Sequence, residues 1–216
     1  QRQMCIRDSP KYVCIKEEYK SQMTYLDHFY INLAWRSQYV GVFMMEYQGV
    51  KFYFIDNEFY FGGPKPYSYI HEDIEKFAFF CQAALSAIPV IGFKPDIIHC
   101  HGWMTALAPL YIKKAYKDEP SFRDAKVVFS VFEDDFKESF NADFVNRLVL
   151  KGVTKKDVAH LKAPVDYATL CKLAIDYADG IIQQSEKVNE EVMEYARQSG
   201  KPILEYQTPE TFADAC

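Results

Sequence analysis

The stretch Asp96-Ile-Ile-His-Cys-His-Gly-Trp103 decides the fold of this chain of 216 residues. It reads as a short apolar strand that ends in histidines and a glycine and leads into an amphipathic helix over 103–116. Short apolar strands of this kind occur in parallel sheets, where both faces of the sheet are buried. The stretch therefore predicts an α/β fold in which helices cover a parallel sheet.

The rest of the C-terminal half repeats the alternation of strand and helix. In chain order we expect strand 126–132, helices 142–150, 154–161 and 166–177, strand 180–184, a helix capped by Ser185, strand 202–206 and a short helix from Pro209. Strands joined through helices run parallel. We therefore expect a Rossmann-like, mostly parallel sheet with helices on both faces.

The N-terminal part has a different pattern. Apolar and polar residues alternate in three segments around the turn residues Gln48-Gly49, namely 28–35, 39–47 and 50–56. Because these segments are rich in Val, Ile, Phe and Tyr, they predict strands, two of which form a β-hairpin. Glycines and prolines predict a loop at 61–66, and helical spacing of apolar residues predicts a helix over 71–88.

Composition excludes several classes of partner. The net charge is -5, and Lys and Arg are scattered along the chain, so nucleic acid is not expected as a partner. No apolar run reaches the roughly 20 residues of a membrane-spanning helix, so no membrane is expected either.

The six cysteines form no CxxC pair. We expect them to be buried free thiols in a cytoplasmic protein.

The two ends of the sequence differ from the interior. Residues 1–9 have no hydrophobic period and resemble a translated sequencing adaptor, so we expect an artefact there and a natural sequence that starts near Pro10. Residues 10–216 are expected to form one domain. Because Lys11 begins inside an element, we expect this domain to be incomplete at its N-terminus.

Ligands of an open parallel sheet bind beyond the carboxyl ends of its strands. His101 lies there, and we expect it either to contact a ligand or to cap the structure. Trp103 offers an aromatic face on which a sugar ring could lie, although it could instead anchor its helix to the sheet. Between them, Gly102 would let a ligand approach the backbone closely.

Other polar residues near the strand ends have simpler interpretations. We expect His99 to be a hydrogen-bonded histidine under a helix. Its pairing with His101 as metal ligands is not expected, because no third ligand is close in sequence. The acidic cluster of Glu133, Asp134 and Asp135 either binds hydroxyls or cations, or forms a solvated loop. Because the two histidines lack a third ligand, no metal is expected.

Three segments carry a family resemblance: Phe77-Ala-Phe-Phe-Cys-Gln-Ala-Ala-Leu-Ser-Ala-Ile-Pro89, Lys94-Pro-Asp-Ile-Ile-His-Cys-His-Gly-Trp-Met-Thr-Ala-Leu-Ala-Pro-Leu-Tyr111 and Tyr53-Phe-Ile-Asp-Asn57. The first two resemble the N-terminal catalytic domain of bacterial glycogen and starch synthases, and the third is a further marker of that family. The resemblance covers nearly all of residues 11–208. It implies glycosyltransferase family 5, the N-terminal lobe of a GT-B fold, and retaining transfer of glucose from ADP-glucose to the 4-OH end of an α-1,4-glucan, with no cofactor or metal.

The resemblance implies that His101, Trp103 and Glu133 contact the substrate, while no catalytic residue can be assigned. The chain departs from the family at two places. The family commonly has His-Asp-Trp where this chain has His101-Gly102-Trp103, and Thr-x-His-Asn where it has Ser130-Val-Phe-Glu133. The expected partners are an α-1,4-glucan and a nucleotide sugar; the oligomeric state is not indicated.

Two features that the family needs for turnover are not found in these residues. They are a Lys-x-Gly-Gly-Leu loop and the second lobe, which binds most of the donor. We therefore expect a glucosyltransferase segment that is weak or inactive alone. The alternative is a non-catalytic glucan-binding or regulatory module derived from the same family.

Overall fold

The computed structural model describes residues 5–33, 36–64, 70–140, 145, 152–159, 161 and 164–215. The chain divides into two units, Gln1–Gly92 and Phe93–Cys216. The elements of the first unit are β1 Ile6–Pro10, α1 Glu17–Lys20, β2 Thr24–Leu33, β3 Arg36–Tyr47, β4 Val50–Asp56, α2 Glu58–Phe61 and α3 Ile70–Val90. Those of the second unit are β5 Ile97–His101, a 3₁₀ turn Trp103–Thr105, α4 Ala108–Lys114, β6 Lys126–Val131, α5 Tyr167–Tyr177, β7 Gly180–Gln183, α6 Glu190–Gln198, β8 Ile203–Leu204 and α7 Pro209–Ala215.

A mixed sheet forms the first unit, in the order β1-β4-β3-β2. Strands β2, β3 and β4 pair antiparallel in sequence, which confirms the expected β-hairpin. At the β3–β4 turn, Gln48 and Gly49 have φ angles of 51° and 78°, as a two-residue hairpin turn requires. Helix α3 packs against this sheet, whose buried side chains include Val40, Val42 and Ile55.

Strand β1 was not expected from the sequence. It runs parallel to β4, from Ile6 opposite Lys51 to Pro10 opposite Ile55. Its Asp8 is unusual for a strand because Oδ1 is buried and accepts no hydrogen bond within the described part of the chain. Charged side chains are rarely buried without a partner. The adaptor origin of residues 1–9 stays a prediction.

The second unit is built on a parallel sheet, as the sequence predicted. Its order is β5-β6-β7-β8, and every neighbouring pair is parallel. Helix α5 packs against β6 and between α4 and α6. Val127 and Phe129 of β6 are fully buried, as is Leu170 of α5.

Three predicted helices differ from the structure. The helix expected over 103–116 begins with a 3₁₀ turn, and α4 starts only at Ala108, because Pro109 has no N–H and is tolerated only in a first helical turn. The helix predicted over 154–161 is wrong, since 155–159 form turns in which Asp157 accepts the Thr154 N–H and hydroxyl. The one predicted over 142–150 lies outside the described residues, apart from residue 145.

The cap predicted at Ser185 is also wrong. Helix α6 begins at Glu190 and is capped by Asn189, whose Oδ1 accepts the Val192 N–H at 3.2 Å. The hydroxyl of Ser185 accepts the N–H of Glu133 instead, at 3.1 Å. Ser185 therefore ties the loop after β7 to the loop after β6.

The cysteines follow the expected pattern in part. Cys81, Cys100 and Cys171 are buried free thiols, whereas Cys5 and Cys14 are exposed. Burial raises the pKa of Cys100 to about 12, so this thiol stays protonated at neutral pH. The expectation of burial is thus confirmed for three of the five described cysteines and wrong for the two near the N-terminus.

Candidate functional site

The candidate site is the rim formed by the carboxyl ends of β5, β6 and β7. The N–H of Gly102 donates to the carbonyl of Ser130 at 3.0 Å, and the N–H of Gln184 donates to the carbonyl of Val131 at 2.9 Å. These bonds extend the sheet pairing by one residue beyond the strands. They bring 99–103, 132–135 and 183–185 to the edge at which parallel sheets bind ligands. We call this edge the strand-end rim.

Gly102 occupies a backbone conformation that only glycine adopts readily. Its φ and ψ angles are 72° and 175°. A Cβ atom at this position would also lie 2.6 Å from Oδ2 of Asp134 and 3.6 Å from the Phe132 ring. Gly102 is therefore required by its own dihedral angles and by the loop that follows β6.

Two imidazole rings stand side by side at the rim. The ring centroids of His99 and His101 are 4.0 Å apart, and both residues are exposed. Nε2 of His99 lies 2.6 Å from the hydroxyl of Ser130, a residue that is fully buried. The hydrogen bond expected for His99 is confirmed, whereas its burial under a helix is wrong, because its ring lies on the exposed face of β5.

His101 is open to solvent at the end of β5, with its ring centroid 6.0 Å from that of Phe132. An exposed imidazole offers one hydrogen-bond donor and one acceptor in its neutral form. The position of His101 suits ligand contact, which stays a prediction.

Trp103 lies inside the unit, with 9% of its surface exposed. Its ring packs edge to face against Phe136 at a centroid distance of 4.8 Å, and its backbone N–H donates to Oδ2 of Asp134 at 3.3 Å. Of the two roles expected for Trp103, this packing matches the anchoring role. At this degree of burial the indole exposes too little surface for a sugar ring to lie on it.

Each of the three acidic residues after β6 is placed differently. The side chain of Glu133 is exposed, while its N–H donates to Ser185. Oδ2 of Asp135 accepts a hydrogen bond from the Asn189 side chain at 2.8 Å. Asp134 points back to the end of β5, where it contacts Trp103. The cluster is therefore neither a single cation site nor a uniformly solvated loop.

Asp134 is the functional candidate that the sequence did not single out from its cluster. Its Oδ1 accepts the hydroxyl of Tyr167 at 2.8 Å, and the same hydroxyl lies 3.3 Å from the carbonyl of Phe132. Burial raises the pKa of Asp134, against the opposing effect of the hydrogen bonds from Tyr167 and Trp103. Burial also raises the pKa of Tyr167, so its hydroxyl stays a donor.

The described residues place limits on other kinds of site. Within them, no group of three or more His, Cys, Asp or Glu side chains is close enough to hold a metal ion. None of the described helices combines the length and apolar character needed to cross a bilayer. An open depression of about 490 Å³ lies in the first unit, lined by Gln38, Tyr39, Asn57, Glu58 and Phe59. We place the candidate site at the strand-end rim instead, because convergent polar groups meet there.

The chain is similar to known glycosyltransferases along most of its length. Residues 9–204 match the family described as starch synthase catalytic domain. The glycogen synthase of Lachnospira eligens is 49% identical over 194 residues, which cover 85% of this chain and 38% of that protein. The glycogen synthase of Lachnoclostridium phytofermentans is 47% identical over 128 residues, which cover 59% of this chain and 27% of that protein. The matches thus span well under half of these relatives.

Similarity of fold extends to solved structures. An example is the catalytic domain of starch synthase IV from Arabidopsis thaliana bound to ADP and acarbose, with a TM-score of 0.75 over 93% of this chain and 43% of that one. The sequences are 19% identical, so the similarity shows the fold alone. It confirms the fold expected from the sequence, the α/β N-terminal lobe of a GT-B glycosyltransferase.

Proposed function

Because this chain belongs to the family of starch synthase catalytic domains, we propose that it is part of a glycogen or starch synthase. The full protein transfers glucose from ADP-glucose to the 4-OH end of an α-1,4-glucan and retains the anomeric configuration. ADP-glucose serves as the donor substrate, and the reaction uses no cofactor and no metal. On the same ground we place the protein in the cytoplasm.

The observation that best supports a sugar-binding role is the pair of exposed imidazoles at the strand-end rim. The rings of His99 and His101 lie side by side on one exposed face of β5, and the hydrogen bond to the Ser130 hydroxyl orients His99. Imidazole nitrogens can both donate to and accept from sugar hydroxyls. We propose His101 as the main sugar contact, with Glu133 as an exposed neighbour that accepts hydroxyl hydrogen bonds.

We propose that these 216 residues supply only part of the catalytic machinery. Glycosyl transfer needs a donor that is held in position and a site from which water is excluded. The segment corresponds to 38% of the Lachnospira eligens relative, so most of such a protein lies outside it. The segment alone is therefore expected to turn over little ADP-glucose while still contacting glucan.

Substitution of His101 tests this function. In a full-length protein that contains this segment, His101→Ala should reduce kcat/KM with glycogen about tenfold, the value of one or two lost hydrogen bonds. His28→Ala is the matched control, because His28 is also an exposed histidine but belongs to the first unit and not to the strands that form the rim. Release of ADP from ADP-glucose is the assay. Equal activity of the wild type and His101→Ala would contradict the proposal.

A second function, a non-catalytic glucan-binding module, is supported by Phe132. This ring lies near His101 at the end of β6, where an apolar side chain offers no hydrogen bond to a reacting sugar. Glycogen retention by the full-length protein without ADP release would favour this module. Release of ADP that depends on both substrates would favour the enzyme.

A further inference from the structure

The loop after β6 fills a space left by Gly102. Oδ2 of Asp134 would lie 2.6 Å from a Cβ atom at position 102, closer than any real contact of that kind. The two residues are far apart in sequence and come from the ends of neighbouring strands. The carboxylate thus stands where the side chain of residue 102 would begin.

This carboxylate also satisfies a backbone group of the turn after β5. Trp103 opens the 3₁₀ turn, and Gly102, at the cap position, has no side chain that could accept a hydrogen bond. Oδ2 of Asp134 accepts the Trp103 N–H at 3.3 Å instead. Side-chain oxygens commonly satisfy the free N–H groups at the start of a helical turn, and here the oxygen comes from a different loop.

The other oxygen of Asp134 is held by a hydrogen bond from α5. Oδ1 accepts the Tyr167 hydroxyl at 2.8 Å. The ring of Phe136 packs edge to face against both Tyr167 and Trp103, at centroid distances of 5.6 and 4.8 Å. Asp134 is therefore held between α5 and the turn that follows β5.

We propose that Asp134 is the positioning residue of the strand-end rim: it replaces the missing cap side chain at Gly102 and holds the His101–Trp103 turn in the geometry that binds glucan. This inference rests on the proposed function, since it takes glucan to be the ligand. It deepens that function by naming the residue that sets the position of His101. Asp134 acts through the turn and does not itself have to touch the sugar.

The first test compares glycogen affinity among variants of the full 216-residue chain. Asp134→Ala should raise the dissociation constant for glycogen about tenfold. Asp134→Asn, whose amide oxygen can still accept the Trp103 N–H, should keep it within about threefold of the wild-type value. Asp135→Ala is the matched control, because Asp135 bonds to Asn189 and not to the turn. Unchanged affinity of folded Asp134→Ala, or an equal loss in Asp135→Ala, would overturn the proposal.

The second test reads the turn directly and needs no ligand. In a Trp35→Phe background, Trp103 is the one remaining tryptophan of the sequence. Its fluorescence should shift to longer wavelength in Asp134→Ala and stay unchanged in Asp135→Ala. No shift would overturn the positioning role. If the wild type fails to retain glycogen while this shift is present, the proposed ligand is wrong and the positioning role stands.

The third test measures thermal unfolding, so it needs neither a ligand nor a change in fluorescence. Gly102→Ala should lower the midpoint of thermal unfolding, because the added Cβ meets Asp134 and because the backbone conformation is strained. The same substitution should lower it less in an Asp134→Gly background, where only the strain remains. Equal decreases in both backgrounds would show that Asp134 does not fill this space.

Discussion

Replacement of Asp8 by valine is expected to stabilise the first unit at neutral pH. Asp8 lies in β1 opposite Tyr53, and its Oδ1 is buried and receives no hydrogen bond from any residue that the structure describes. Burial raises the pKa of this carboxyl from its ordinary value of 3.8 to about 7. The cause is the loss of hydration of the charged form.

The direction of the pH effect follows from this shift. A carboxyl whose pKa is higher in the folded than in the unfolded state stabilises the fold only while it is protonated. Its contribution is complete below pH 3.8, decreases between pH 3.8 and about 7, and is lost above that range. The full shift corresponds to about 4 kcal/mol in the free energy of unfolding. Because the residue as a whole is only part-buried, we expect the free energy of unfolding to change by about 2–4 kcal/mol over this pH range.

Urea unfolding at about pH 5 and about pH 8 measures this effect. The wild type should be less stable at the higher pH, and Asp8→Val should exceed it there by about 2–4 kcal/mol. Asp8→Asn is the control, since it removes the charge but keeps a polar group; it should lose the pH dependence and gain less stability. Equal free energies of unfolding for the wild type and Asp8→Val at the higher pH would show that the buried carboxylate does not destabilise the first unit.

Three other substitutions test the second unit by thermal or urea unfolding. Asn189→Ala removes the cap of α6 and should lower the free energy of unfolding by about 1 kcal/mol. Asn189→Asp is the control, because it keeps a capping side chain; unchanged stability of Asn189→Ala would contradict the cap assignment. Tyr167→Phe removes the hydroxyl that donates to Asp134 and should lower the free energy of unfolding by about 1–2 kcal/mol. Because this hydrogen bond lowers the pKa of Asp134, NMR titration should find a higher pKa of Asp134 in the variant, and an unchanged pKa would contradict the contact. Trp103→Ala should cost about 3–5 kcal/mol if the indole is packed as described, whereas a loss below about 1 kcal/mol would indicate an exposed ring.

Local patterns in the sequence were sufficient for most of the fold. The apolar run before His101 predicted β5, and alternation around Gln48-Gly49 predicted the hairpin of β3 and β4. These patterns report the type of an element and its apolar residues. They were wrong about burial in β5, where Ile97 and His99 lie on an exposed face. The turn in place of the helix at 154–161 was missed because side-chain bonds of Asp157 compete with helical hydrogen bonds.

The features that were missed depend on contacts between distant parts of the chain. Ser185 and Asn189 are equally good caps by residue type, and only the bond from the Glu133 N–H to Ser185 separates their roles. Likewise, Gly102 was recognised as a departure from the family, but nothing local indicates that Asp134 fills its space. The burial of Trp103 depends on Phe136 in the same way.

We propose that the ends of β5, β6 and β7 bind α-1,4-glucan at the strand-end rim. Titration with maltoheptaose, monitored by the NMR signals of the imidazole rings and backbone amides, measures this binding residue by residue. We expect saturable shifts at His99, His101 and Gly102, with the signals of His28 unchanged. If saturating maltoheptaose left the three rim residues unshifted, or shifted only His28, glucan would not bind at the rim.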